Sequence, residues 1–393
     1  PYHIVAEIHD VRNMEAARLV GGQETQLIDV GDTVSRLIAQ ACRQSGLSVV
    51  YTELLDFDGD EIYFQEEPAL VGKTFGEALF AYEECSVMGL QFADERVVLN
   101  PPMDTRISAG DKVIAVAEDD DKVKLSSYAN PAVDASAIQE ATVSVPSPER
   151  TLILGWNRRA TTIINELDHY VAPGSTVTVV ADWAAGAGEI MERCAECQNV
   201  SITFQQGDTA DRRTLDRLNV ADYQHIIVLC YSDMLDPQRA DARTLITLLH
   251  LRDIEAQLGD RFSIVSEMLD DRNRELAEVT KADDFIVSDK LISLLLAQIS
   301  ENKHLSAVFA DVFDPEGSEI YVKPAVDYIH PGREVNFYTV VEAARRRGHA
   351  AIGYRLQAHA GNPEKSYGVV VNPKKSETVT FSEADRVIVL AED

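Results

Sequence analysis

The sequence predicts an α/β protein: a doubly wound parallel sheet followed by a small α+β lobe, a plan carried twice in tandem with the first copy lacking its front half. Three observations lead to this. Short apolar runs alternate with amphipathic helical stretches between residues 151 and 267, blocks of residues recur at a spacing near 260, and a polar, proline-bearing stretch separates the copies.

In the complete copy, residues 151–155, 176–181, 201–205, 225–229 and 262–267 read as strands, separated by helical patterns of which 238–258 is the longest. Right-handed crossovers then make the sheet parallel, with helices on both faces. Ser288–Glu301 follows as a helix apolar on nearly every side through Leu291, Ile292, Leu294, Leu295, Leu296 and Ile299. That pattern belongs to a helix buried in a core or between subunits. Strand 319–323, helix 337–347 and strands 350–355, 367–371 and 386–390 close the copy as an α+β lobe. The first copy repeats this plan, with Thr74 and Glu77 in the spacing of a capping box.

The repeat is explicit. Ile4-Val-Ala-Glu-Ile-His-Asp10 returns as Ile264-Val-Ser-Glu-Met-Leu-Asp270, an offset of 264 − 4 = 260. Asp56-Phe-Asp-Gly-Asp-Glu-Ile-Tyr63 returns as Asp314-Pro-Glu-Gly-Ser-Glu-Ile-Tyr321 at 258, Asn100-Pro101 as Asn372-Pro373 at 272, and Ala117-Glu-Asp119 as Ala391-Glu-Asp393 at 274. The jump of 272 − 258 = 14 predicts an insertion in the second copy, placed in the polar loop 358–366 because loops absorb added length cheaply. Residues 151–262 have no upstream partner, so Pro1 is not expected to be a natural start. The expected domains are 1–45 and 46–119 for the first copy, a linker over 120–149, and 150–301 and 302–393 for the second.

Asp and Glu number 65 against 36 Lys and Arg, a net charge of −29, while 45% of residues are hydrophobic. The apolar content excludes disorder, and the missing basic residues exclude a nucleic-acid binder that neutralises phosphates. Cations are the natural partners of such a surface. The apolar stretch Leu291 to Ile299 falls far short of the ~20 residues that cross a bilayer. Five cysteines form no disulfide framework, and the single Cys194-Ala-Glu-Cys197 pair lacks half the ligands of a zinc site. A reducing, cytosolic setting is expected.

Two patterns carry candidate chemistry. The first strand of the complete copy runs into Gly155-Trp-Asn157-Arg-Arg-Ala160, where a dinucleotide fold carries G-x-G-x-x-G, and only the first glycine is present. Gly155, Asn157 and Ala160 at this turn, Asp182 after the second strand and Asp208 after the third are the candidate contacts to NAD or another nucleotide. In the second pattern, Asp56, Asp58, Asp60 and Glu61 crowd a glycine turn, echoed by Asp314, Glu316 and Glu319. Hard cations such as Ca²⁺ take six to eight such oxygens. Glu7 and Glu267, near the carboxyl ends of equivalent strands, are further candidates for a divalent cation. None of the nine histidines sits in a catalytic or metal-binding spacing, and no nucleophile elbow, zinc-protease or P-loop motif occurs, so no enzyme is expected.

The dinucleotide-type lobe with Gly207-Asp208-x-x-Asp211, an apolar crossover helix and a small α+β lobe resembles a regulator-of-potassium-conductance (RCK) domain. More narrowly, Ile153-Leu-Gly-Trp156, Glu166-Leu-Asp-His-Tyr170, Pro173-Gly174, Asp236-Pro-Gln-Arg-Ala-Asp241, Ala297-Gln298, Gly317-Ser-Glu-Ile-Tyr-Val-Lys323, Ala351-Ile-Gly-Tyr354 and Asn372-Pro373 look like the cytosolic region of the Castor/Pollux ion channels. The resemblance runs through most of residues 150–393 and rests on the repeat over 1–120. It implies a Rossmann-like fold in tandem RCK units and a homotetrameric, calcium-responsive gating ring at the cytoplasmic face of a membrane, below a pore domain that these residues do not include. Ring assembly is expected through helices such as 290–301 and 34–43, so charging Leu295 or Leu37 is expected to split the ring. The alternatives are a nucleotide-binding peripheral subunit of a potassium transporter and an NAD-dependent oxidoreductase.

Overall fold

The computed structural model describes residues 3–57, 59–126, 131–140, 146–259, 263–273 and 284–392. In chain order, β1 (Ile4–Ile8), α1 (Met14–Gly21), β2 (Thr25–Asp29), α2 (Val30–Arg43) and α3 (Leu47–Leu55) lead into β3 (Glu61–Glu66), α4 (Phe75–Ala78), β4 (Cys85–Gln91), β5 (Val97–Leu99) and β6 (Lys112–Ala117). Then come β7 (Arg150–Leu154), α5 (Ala160–Tyr170), β8 (Ser175–Ala181), α6 (Gly186–Arg193), β9 (Val200–Gln206), α7 (Arg212–Asp216), β10 (His225–Val228), α8 (Pro237–Leu258), β11 (Ser263–Met268) and β12 (Asp284–Val287). The chain closes with α9 (Ser288–Glu301), α10 (Leu305–Val312), β13 (Glu319–Pro324), β14 (Glu334–Asn336), α11 (Phe337–Arg345), β15 (Ala350–Arg355), β16 (Val369–Val371), β17 (Thr378–Thr380) and β18 (Arg386–Ala391). These elements form two compact units, each drawing on both copies of the repeat: residues 1–48 with 144–300, and 49–143 with 301–393.

The first unit holds a six-stranded sheet in the order β12-β11-β10-β7-β8-β9, with every pair parallel. Renumbered from β7 this is the doubly wound order 3-2-1-4-5-6, whose switch point lies between β7 and β10. Its core joins Leu152, Leu154, Ile226, Val228 and Ile264 from the strands to Leu248, Leu251 and Ile254 of α8. That helix starts where Asp236 accepts a hydrogen bond from the Arg239 N–H and Pro237 takes the first turn, and stops at Gly259 in the left-handed conformation. Asp241, fully buried on the same helix, accepts from Leu269 N, Asp270 N and Asn273 Nδ2 and so fixes the exit of β11. The Asp236 to Asp241 motif is thus one cap and one anchor.

In the same unit, β1 and β2 form a separate two-stranded parallel sheet. Its pairing of Val5 with Gln26 is the pairing of Val265 with Asp284 in the second copy, offsets of 260 and 258. Helix α2 packs on β10, β11, β12 and α5, burying Val34, Leu37 and Ile38. Leu37, 2% exposed, is therefore packed within the unit, and Leu295 of α9 is 3% exposed, so charging either one acts first on a side chain buried in the chain itself. Helix α9 is also not buried all round, since Ser293 and Ser300 are exposed.

The second unit contains two four-stranded antiparallel sheets of one topology, β3-β6-β4-β5 and β13-β18-β15-β16. Even the irregularities repeat. A bulge falls between Val87 and Gly89 in β4 and between Ala351 and Gly353 in β15. Both glycines are required there, because a Cβ would sit 2.6 Å from Val98 O in one copy and 2.3 Å from Val370 O in the other. The equivalence of Gly89 with Gly353, an offset of 264, corrects the placement of the insertion. Of the 14 added residues, 264 − 258 = 6 precede β15, around β14 and the longer helix α11, and 272 − 264 = 8 lie between β15 and β16. The expected linker is anchored in part: Gln139 N donates to Tyr328 O (2.8 Å), Arg333 pairs with Asp134 (2.8 Å), and Ile138 bridges Ile329.

Candidate functional site

The first candidate lies at the carboxyl ends of β7, β8, β9, β10 and β11, where ligands of doubly wound sheets gather. Gly155 turns the chain from β7 toward α5 at φ +99°, and a Cβ there would come within 2.1 Å of Leu229 O, so this glycine is fixed by β10 whatever the site binds. Asn157 stands where a second glycine would admit a pyrophosphate, and its side chain turns inward. Its Nδ2 donates to Cys230 O (2.9 Å) and Glu267 Oε2 (2.7 Å), and its Oδ1 accepts from Arg159 N (3.0 Å). Glu267, fully buried, also accepts from Ser288 Oγ (3.1 Å) at the start of α9 and pairs with the Arg159 guanidinium. Burial and this carboxylate push the Cys230 thiol well above its ordinary range. Ala160 is buried within the first turn of α5.

The rest of the crevice is as closely committed. Arg158 N donates to Asp233 Oδ2 (2.6 Å) in the turn just before α5. Tyr231, buried beyond β10, accepts at its hydroxyl from Asp182 N (3.0 Å). Arg243, reaching down from α8, lies 4.4 Å over the Tyr231 ring and forks between Asp208 (2.8 Å) and Asp182 (3.3 Å). The structure therefore joins Asp182 to Asp208 through Arg243, and Asn157 to Glu267 directly. Sequence reasoning missed Arg159, Tyr231, Asp233 and Arg243. Only Arg159 carried a signal, as a cation two residues beyond a glycine position that had become Asn.

A dinucleotide needs close backbone approach at the turn and free N–H groups at the helix start. The residues present do not fit one: a side chain replaces the second glycine, and the N–H groups of Arg158 and Arg159 are both taken.

The second candidate is the acidic turn, in the other unit. Asp60 accepts from Asn372 Nδ2 (2.9 Å) and lines a cavity of about 290 Å³ with Gly59, Glu84, Glu118, Lys122, Asn372 and Lys374. Burial raises its carboxyl pKa, and the negative charges of Glu53 and Glu118 add to the shift. Asp56 closes the turn through its backbone carbonyl, which accepts from Gly59 N (3.2 Å), while Asp58 lies outside the described residues. Glu61 and Glu319 do the same work in each copy, accepting from Tyr63 Oη (3.2 Å) and Tyr321 Oη (2.7 Å). Asp314 accepts from Glu316 N (3.1 Å) in an exposed turn. Glu7 in the first unit lies 3.1 Å from His9 Nε2 through its Oε1. Among the described residues no three His, Cys, Asp or Glu side chains converge as a metal would require.

These turns lie on the joint between the two copies. Asn372 Nδ2 also donates to Glu84 O (3.1 Å), and its counterpart Asn100 donates to Gly348 O (2.9 Å), the residue equivalent to Glu84 at the offset of 264. Both asparagines adopt positive φ, 40° and 49°, which Asn tolerates better than most side chains. On the second copy's side, Ser318 Oγ donates to Leu99 O (3.0 Å) and Asp311 accepts from Leu99 N (3.3 Å).

Comparison with known proteins agrees with this architecture. Residues 31–134 match the family described as Castor and Pollux, part of voltage-gated ion channel. The chain is 29% identical over 425 residues to the ion channel CASTOR of Lotus japonicus, covering 99% of this chain and 49% of that protein. It is 29% identical over 430 residues to the probable ion channel POLLUX of Arabidopsis thaliana, with coverage of 99% and 50%. The chain thus spans about half the length of the curated relatives it matches. In fold it is similar to the human SLO3 gating ring, with a TM-score of 0.70 at 14% identity over 99% of this chain and 81% of that one. No helix among the described residues is long and apolar enough to cross a membrane. The sequence motifs and these comparisons agree: the chain is similar along nearly its whole length to the CASTOR and POLLUX ion channels, and its fold is similar to that of a gating ring.

Proposed function

We propose that the chain is the gating module of a Castor/Pollux-like cation channel: four copies form a ring at the cytoplasmic face of a membrane, and binding of a divalent cation, Ca²⁺, biases a pore carried by another part of the protein. The observation that carries this reading is the reciprocal joint between the two copies, in which Asn372 grips the acidic turn at Asp60 while Leu99 is held by Ser318 and Asp311. A cation drawn to the acidic turn at Asp60 would act on the contact that sets one copy against the other. It would also offset the burial, and the lesser repulsion from Glu53 and Glu118, that raise the Asp60 carboxyl. The module has no catalytic step. In this reading residues 1–45 and 46–119 make the first RCK unit, 120–149 connect, and 150–301 and 302–393 make the second.

The required energies are modest. Moving an equilibrium from 1:99 to 99:1 takes about 5.5 kcal/mol, or about 1.4 kcal/mol from each of four equivalent sites, a roughly tenfold preference for the open form. The test is Ca²⁺ calorimetry on the chain beside light scattering for the assembly. Saturable binding in the micromolar to millimolar range is expected, at least tenfold weaker in Asp60→Asn with Glu118→Gln. Binding lost instead in Asp314→Ala with Glu316→Ala moves the site to the second turn. No Ca²⁺ binding, or a single-chain mass at every concentration, overturns the proposal.

A further inference from the structure

The doubly wound order of the six-stranded sheet provides a crevice of the kind that holds dinucleotides, yet three of its polar stations already have an occupant from the chain. At the pyrophosphate station, the Asp233 carboxylate accepts from Arg158 N (2.6 Å) and Asn157 Oδ1 accepts from Arg159 N (3.0 Å). A carboxylate at a helix N-terminus satisfies the same N–H groups and the same positive potential that a phosphate would. At the ribose station, Asp182 is held by Arg243 (3.3 Å), and the buried Tyr231 ring lies beneath that guanidinium. At the switch point between β7 and β10, Asn157 and Arg159 are drawn down onto Glu267.

We infer that this crevice is self-ligated. The segment from Tyr231 to Arg243, which leaves β10 and enters α8, supplies an internal anion and an internal cation in place of a nucleotide's phosphate and ribose, and the lobe takes no NAD or ADP. The inference stands apart from the cation reading, because it concerns the other unit and a different ligand chemistry. Charge strengthens it. An incoming diphosphate would meet Asp233 where it needs donors, and would have to replace a charge-assisted hydrogen bond that is already made. The segment therefore acts as a latch, holding α5, β8, β9 and α8 together by the contacts a cofactor would otherwise make.

The test titrates ADP by calorimetry, and NADH by its fluorescence, into the full chain and into Asp233→Ala with Arg243→Ala. The wild-type chain is expected to show no saturable binding up to about 1 mM. The double variant should bind at least one probe about tenfold more tightly or better, a change of about 1.4 kcal/mol. Tryptophan emission from Trp156 and Trp183 checks that the variant folds. Should it not fold, Asp233→Asn, which keeps the size and removes the charge, gives the decision by the same titration. Saturable binding by the wild-type chain that the substitutions leave unchanged or abolish overturns the inference. So does the absence of binding by wild type and folded variant alike, since the crevice would then be closed by something other than the latch.

Discussion

Replacing Arg159 by Met isolates the electrostatics of the first unit's centre. Arg159 is 7% exposed and Glu267 0%, so water reaches neither partner to any useful extent. Without the guanidinium, the Glu267 carboxylate keeps only neutral donors, among them Asn157 Nδ2 at 2.7 Å and Ser288 Oγ at 3.1 Å. Breaking a buried pair in this way costs about 3–5 kcal/mol, against about 0–1 kcal/mol for an exposed pair. Since a domain holds only about 5–15 kcal/mol in all, the loss is a large fraction of the unit's stability. Both tryptophans of the chain, Trp156 and Trp183, belong to this unit, so fluorescence during urea unfolding reports it selectively. Urea also leaves ionic strength unchanged. The midpoint is expected to fall with little change in slope. Adding Glu267→Met to Arg159→Met removes the stranded charge and should restore about 2 kcal/mol or more, a coupling typical of residues in one network. A cost below about 1 kcal/mol for Arg159→Met, or strict additivity in the double variant, would refute the reasoning.

Leu37→Asp should unfold the first unit rather than merely separate subunits, because Leu37 is buried against β10 to β12 and α5; a cost of about 4 kcal/mol or more is expected by the same urea assay. In the second unit, Lys375 occupies the place of Met103 at the offset of 272, and its buried ammonium donates to Tyr82 O (2.8 Å) and Cys85 O. Burial lowers its pKa to about 8 from 10.5. The charged form is therefore disfavoured in the folded state: the penalty is absent above pH 10.5, grows as pH falls, and is complete below about pH 8. Lys375→Met should escape it, so that its stability relative to wild type, followed by circular dichroism, rises between pH 10.5 and 8 and then levels off. The gain is at most about 3 kcal/mol, reduced by the two carbonyls left without a donor. A difference that does not vary over this pH range would show that Lys375 is not charged and buried together.

The sequence by itself determined the strands, the crossover helices and the tandem repeat, because apolar periodicity and recurring blocks such as Gly317 to Lys323 are local signals that survive without coordinates. It also revealed that Gly155 kept its place while the second glycine was lost. Which copy a residue serves was decided only in three dimensions. Helix α2 reads as an interface element of the first copy, yet it packs against strands of the second, which lie some 200 residues away in the chain and share no local pattern with it. The insertion likewise divides into six and eight residues only once the bulge glycines, Gly89 and Gly353, are aligned by strand pairing. The candidate site shows the same limit most clearly. Asp182 and Asp208 are visible in the sequence as acids at strand ends, but their shared partner Arg243 lies on the first turns of α8, and Glu267 finds Arg159 across 108 residues. Electrostatic pairing acts through space at a few ångströms, so the fold alone decides whether a carboxylate faces a ligand or an arginine of its own chain.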